Sequence, residues 1–107
     1  MKDLELKSFE IISNVGSARS YYIEAIGYAK KYDFENADKS MKNGIDAFNA
    51  GHNVHSELVS KEASGEKTEF SLILMHAEDQ LMSAEGFKII ATEFIDLYKK
   101  LHENKLN

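Results

Sequence analysis

The chain contains no cysteine, no proline and no tryptophan among its 107 residues. The absence of cysteine excludes a disulfide framework, a thiol nucleophile and a thiolate zinc site. With no proline and only six glycines, nothing interrupts long helices. No stretch approaches the roughly 18 consecutive apolar residues that a membrane span requires. The basic residues form no block longer than Lys30-Lys31 or Lys99-Lys100, and the net charge of −5 works against a phosphate backbone, so nucleic acid is not an expected partner. No leader-like segment opens the sequence, and the cytoplasm is the expected location.

What is present is a 43% apolar composition with scattered charges of both signs, which points to a folded protein. Glu, Lys, Ala, Leu, Ile and Ser are in surplus and favour helix over strand. The length suits one domain over residues 1–107 with a modest core, too small to enclose a large active site. A reactive group here would need a partner or further copies of the chain.

The apolar periods predict three helices. From Lys2 to about Lys31, the residues Ile11, Val15, Ala18, Tyr22, Ala25 and Ala29 recur at four- and three-residue steps, and so share one helical face. Gly16 interrupts this helix, at a cost of about 1 kcal/mol relative to alanine; close packing against a neighbour or a slight bend accounts for it. Asp33 is placed as an N-cap and Glu35 in the first turn of a second helix. Its expected inner stripe is Phe34, Ala37, Met41, Ile45, Phe48, His52, His55 and Val59, ending at Ser64-Gly65. The third helix is expected from about Thr68 to about His102. One face, Phe70, Leu74, Ala77, Leu81, Ala84, Ala91, Ile95 and Tyr98, interrupted by Lys88, closes an antiparallel three-helix bundle. The other, Leu72, Met75, Asp79, Met82, Gly86, Ile89 and Glu93, has coiled-coil spacing. A lone bundle would leave it in water, which predicts a homo-oligomer built along helix three. The polar tail from His102 to Asn107 is expected to fray, with His102 solvated.

The stretch from Ser71 to Met82 carries the chemistry: a histidine and a carboxylate one turn apart in a run expected to be largely buried. His76, just off the seam, is expected to border the groove between neighbouring subunits. Its imidazole can act as a base, a metal ligand or a phosphoryl acceptor, or simply pack with its nitrogens satisfied. Copies of Asp79 converging at the seam would need protons or a cation, Mg²⁺ being the common hard choice; a solvated gap is the alternative. His52 and His55 form a His-x-x-His pair, a weak zinc signal without further ligands, which also allows a metal-binding helical oligomer. At about 1.5 Å of rise per residue, a hairpin turning near Glu66 puts His55 level with His76. Glu57 and Glu78 are expected in solvent.

Several ordered motifs carry a resemblance. They are Gly16-Ser17-Ala18-Arg19-Ser20, Glu24-Ala25, Asp33-Phe34 with Ala37, Glu62-Ala63-Ser64-Gly65-Glu66, and above all Met75-His76-Ala77, Asp79 and Leu81-Met82. From about Ile12 to Tyr98 the chain resembles the lactose/cellobiose-type IIA component of the bacterial phosphoenolpyruvate-dependent sugar phosphotransferase system. The resemblance implies a homotrimer with the third helices inward, a phosphorylated His76, and Asp79 meeting its copies at a metal on the three-fold axis. It implies HPr as phosphoryl donor, a cysteine of a IIB component as acceptor, and contact with the membrane only through the sugar permease. His52 matches a family histidine. Three positions depart from the pattern: Gln80 stands where a second histidine is usual, and Glu78 and His55 where glutamine is usual. Gln80 can donate a hydrogen bond but cannot carry a proton charge. These departures also admit a IIA-like regulatory or scaffolding protein that does not donate to a IIB.

Overall fold

A computed structural model describes residues 2–106 of the chain. It folds as three helices, α1 (Lys2–Lys30), α2 (Phe34–Ala63) and α3 (Leu72–Leu106), with no strand among the described residues, so the all-α expectation is met. The six apolar positions read from the α1 period are all buried. Against them α3 buries Ala77, Leu81, Ala84, Ala91 and Ile95. Ile11 and Val15 cluster with Ala77, Leu81, Ala84 and Leu58, while Ala25 and Ala29 cluster with Ile95 and Ala37. Positions that rise along α1 therefore meet positions that rise along α3 and fall along α2. The result is a rod of 60 × 20 × 19 Å. Small side chains at the contacts let the helix axes approach closely, while each fully buried Val, Leu or Ile side chain contributes roughly 1.5–3 kcal/mol.

The packing of α2 corrects the expected stripe. Its buried positions are Ala37, Ser40, Gly44, Gly51 and Leu58, and His52 and Val59 face solvent. The reason is that α1 drives large side chains into holes above glycines. A Cβ on Gly44 would sit 2.5 Å from Tyr22 Cε1, and one on Gly51 would sit 2.8 Å from Val15 Cγ1. Glycine adds nothing to an apolar period, so the true face is invisible to it. Gly16 is different: among the described residues a Cβ there would meet no heavy atom within 4 Å, so nothing described packs on it closely.

Asp33 caps α2 as expected, accepting from the Asn36 N–H at 3.3 Å. Gly65, at φ 103°, terminates that helix, and the Glu66 N–H donates back to the Lys61 carbonyl. The start of α3 is four residues later than expected. Ser71 Oγ accepts from the Leu74 N–H at 3.1 Å and so caps a helix beginning at Leu72. Phe70 falls outside the helix, 81% exposed, and takes no part in closing the bundle.

The tail corrects the expectation of fraying. The α3 helix continues through Leu106, and Asn107 lies outside the described residues. It is held by an aromatic clasp at the α1–α2 turn, where Tyr32 adopts a left-handed φ of 61°. The His102 ring lies 4.4 Å from the Tyr32 ring and 6.0 Å from Phe34, so His102 is packed rather than solvated. Lys105 and Lys99 extend over Tyr32 and Phe34, respectively. Among the described residues no helix is long and apolar enough to cross a membrane.

Candidate active site

The stretch around His76 is less buried than its apolar run suggests. Only Ala77 and Leu81 are buried between Ser71 and Met82, while His76, Glu78 and Asp79 are exposed. The α1 contact takes one narrow stripe of α3, at Ala77, Leu81 and Ala84, and leaves the flanking positions outside. His76 thus projects from a long helix whose backbone is fixed by the core directly beneath it. Among the described residues it has no hydrogen-bonding or ion-pairing partner, the nearby side-chain bonds going to other histidines.

The two histidines of α2 go to different partners. His55 Nε2 lies 2.9 Å from Glu78 Oε2. An ionised carboxylate only accepts, so the Nε2–H of His55 is the donor. His52 stacks against Phe48 at 6.0 Å and approaches Ser56 Oγ at 3.5 Å through Nδ1. The level expected from the hairpin is therefore close, but the structure brings His55 to Glu78 rather than to His76. Glu78 is exposed as expected, and the structure adds His55 as its partner. Glu57 is exposed as expected, with Lys7 Nζ 3.7 Å away. The His55–Glu78 bond directs the Glu78 carboxylate to α2.

Gln80, four residues beyond His76, reaches the opposite way. Its Oε1 accepts from Arg19 Nη1 at 2.7 Å, tying α3 to α1. In the sequence Arg19 stands out only as part of a motif, and its place at this site emerges from the fold. A signal for it exists: Arg19 is the sole arginine of the chain, beside twelve lysines, and it adjoins the buried Ala18. Arginine is the cation suited to a fixed, directional bond.

Asp79 is exposed in line with Leu72, Met75, Met82 and Ile89, along the expected seam. Among the described residues no three His, Cys, Asp or Glu side chains are grouped to hold a metal ion. On this line the only other carboxylate is Glu93, several turns further along α3, so a cation at Asp79 would need ligands from other copies of the chain. The face itself is apolar and uncovered: Met82 is 66% exposed, and Ile90, Phe94, Leu97 and Leu101 extend it toward the end of α3. Gly86, on the same line, has nothing within 4 Å of a Cβ position.

Comparison with known proteins identifies the family. Residues 6–99 match the family model described as the lactose/cellobiose-specific IIA subunit of the PTS system. The chain is 39% identical over 104 residues to the lichenan-specific phosphotransferase enzyme IIA component of Bacillus subtilis, covering 97% of this chain and 94% of that one. It is 31% identical over 99 residues to the lactose-specific EIIA component of Staphylococcus aureus, covering 92% and 96% of the two chains. The crystal structure of the cellobiose-specific enzyme IIA from Bacillus anthracis superposes with a TM-score of 0.93 at 46% identity, over 96% of this chain and 94% of that one. The chain therefore belongs to the lactose/cellobiose-specific IIA family of the sugar phosphotransferase system.

Proposed function

We propose that this protein is the phosphohistidine carrier of a sugar phosphotransferase system, taking a phosphoryl group from HPr on His76 and passing it to a cysteine of a IIB component. The whole chain, residues 1–107, serves as one IIA domain in the cytoplasm, and the cargo of the system is a disaccharide of the lactose/cellobiose class. The observation that carries the reading is the exposed, unpartnered imidazole of His76 above a rigid core. A carrier needs little more than a nitrogen held in line between donor and acceptor. In the first transfer the donor's bond to phosphorus breaks as the unprotonated ring nitrogen of His76 forms a P–N bond, and the proton on the other ring nitrogen passes to the group the donor releases. In the second that P–N bond breaks as the IIB thiolate bonds phosphorus.

Three chains, each an antiparallel bundle, assemble through α3 in this reading. The uncovered apolar line from Leu72 to Leu101 supports it, since so long a face is not left in water without a partner. Asp79 from each copy would hold Mg²⁺, which supplies charge neutralisation between the three carboxylates and takes no part in transfer. Sedimentation equilibrium should give the mass of three chains, with chelation by EDTA weakening the assembly; a single-chain mass in Mg²⁺ would refute it.

The carrier role is tested by intact-mass spectrometry after incubation with phosphoenolpyruvate, enzyme I and HPr, followed by a chase with candidate IIB proteins. One acid-labile phosphate per chain, lost in the chase, is the expected result. Label that stays on the protein would favour a regulatory or scaffolding role, which the departures at Glu78 and Gln80 motivate.

A further inference from the structure

We infer that Arg19 and Gln80 form the seat for the phosphoryl oxygens on His76, with Gln80 donating to them and Arg19 fixing the direction in which the Gln80 amide faces. The inference rests on the carrier reading above and adds to it the residues that receive the charge. A guanidinium has only donors, so the 2.7 Å contact from Arg19 Nη1 requires the carbonyl oxygen of Gln80 on that side. The two N–H donors of the amide are then turned away from Arg19 and remain free. Side chains four residues apart on a helix are neighbours on one face, so Gln80 is the polar side chain one turn from His76 on its α1 side.

The electrostatics run the same way. His76 is followed closely by Glu78 and Asp79, a setting that would repel a phosphoryl dianion. Glu78 is drawn off by His55 at 2.9 Å. Arg19 has no carboxylate within ion-pairing distance among the described residues, so its charge is not cancelled inside the bundle. Half-buried against α3, it supplies the site with a fixed positive charge behind an oriented amide. Donors set in place before charge arrives need no reorganisation when it does. Gln80 is the residue that would touch the phosphoryl group, and Arg19 is a positioning residue acting through it.

The test uses the full chain with ¹⁵N-labelled glutamine side chains, loaded in two ways: by HPr with its phosphorylation system, and by phosphoramidate. In the latter the P–N bond to ammonia breaks as the bond to imidazole forms, and the ring proton leaves with the ammonia. The Gln80 amide protons should shift on loading. Gln80→Met loses both donors without adding charge, and should slow loading or shorten the phosphohistidine lifetime about tenfold, the scale of one charge-assisted hydrogen bond. Arg19→Met should give a smaller loss, and Arg19→Lys, which still donates to the carbonyl, should restore part of it. If these variants change only the melting temperature, leaving loading, lifetime and the amide shift as in the parent, the bond is a structural tie and the inference is overturned. Loading by phosphoramidate but not by HPr would count against the carrier role while leaving the seat intact. Loading by neither route would end both.

Discussion

His76 and His102 sit on the same helix and have opposite surroundings. His76 lies in a run of apolar residues and projects into solvent without a partner. His102 lies in a polar tail and packs in a three-ring cluster with Tyr32 and Phe34, with its Nδ1 buried and unbonded. The difference comes from what faces each turn of α3. Near His76 the partner is α1, whose narrow stripe of Ile11 and Val15 covers only the positions directly opposite. Near His102 the partner is the α1–α2 turn, where Tyr32 in its left-handed conformation sets its ring against the imidazole. A helix–helix contact is a line and a cap is a plate. Histidine chemistry therefore stays available at the first and is used up in packing at the second.

Exchanging the two roles gives the largest expected effects. His76→Ala should abolish phosphoryl labelling, a loss of more than about 10³-fold for a covalent acceptor, while leaving the melting temperature within the scatter usual for exposed positions. His102→Ala should leave labelling alone. If His102→Ala loses the label or His76→Ala retains it, the contrast between the two sites collapses. Next in size is the packed side of the bundle. Gly44→Ala gains about 1 kcal/mol of helix propensity, but its methyl would meet the fully buried Tyr22 ring at 2.5 Å. Overpacking costs about 1–3 kcal/mol, so the net result should be destabilisation, measured by urea unfolding. His102→Ala should cost about 1 kcal/mol by the same measurement, from the lost ring contacts. A near-zero value would mean that the clasp does not hold the end of α3.

Much of this contrast is legible in the sequence, and the rest is hidden for identifiable reasons. The α1 face follows from its period because its apolar residues are the ones that pack, and the Asp33 and Gly65 signals work because caps are local chemistry. The α2 face is displaced because Gly44 and Gly51, which make the contact, have no side chain to register in a period. Hydrophobicity alone assigns Phe70 to α3, whereas the hydroxyl of Ser71 decides where that helix starts. At the site, His76 and Asp79 stand out as single residues. The pairs do not: His55 with Glu78 and Arg19 with Gln80 join residues 23 and 61 positions apart, and only the bundle brings them together. Two departures that look independent along the chain, at His55 and Glu78, turn out to be one bond.

The smallest effect should come from Tyr22, whose hydroxyl, like His102 Nδ1, is buried without a hydrogen-bonding partner. The Tyr22 ring fills the hole above Gly44 and is fully enclosed, so the packing is made by carbon and the oxygen is left over. Removing an unsatisfied buried hydroxyl while keeping the ring relieves a desolvation cost, and Tyr22→Phe should stabilise the fold by up to about 1 kcal/mol. The same burial pushes the Tyr22 phenol above its ordinary value of 10.0. A raised folded-state value means that the protonated form is favoured in the native protein. Its contribution is fully present below the unfolded value and is lost as pH rises through the folded one. The parent should therefore lose stability above about pH 10 more steeply than Tyr22→Phe, the other tyrosines being common to both proteins. Parallel alkaline curves would mean that the Tyr22 hydroxyl reaches water after all, and that the packed side of the bundle is as open at this point as the side that carries His76.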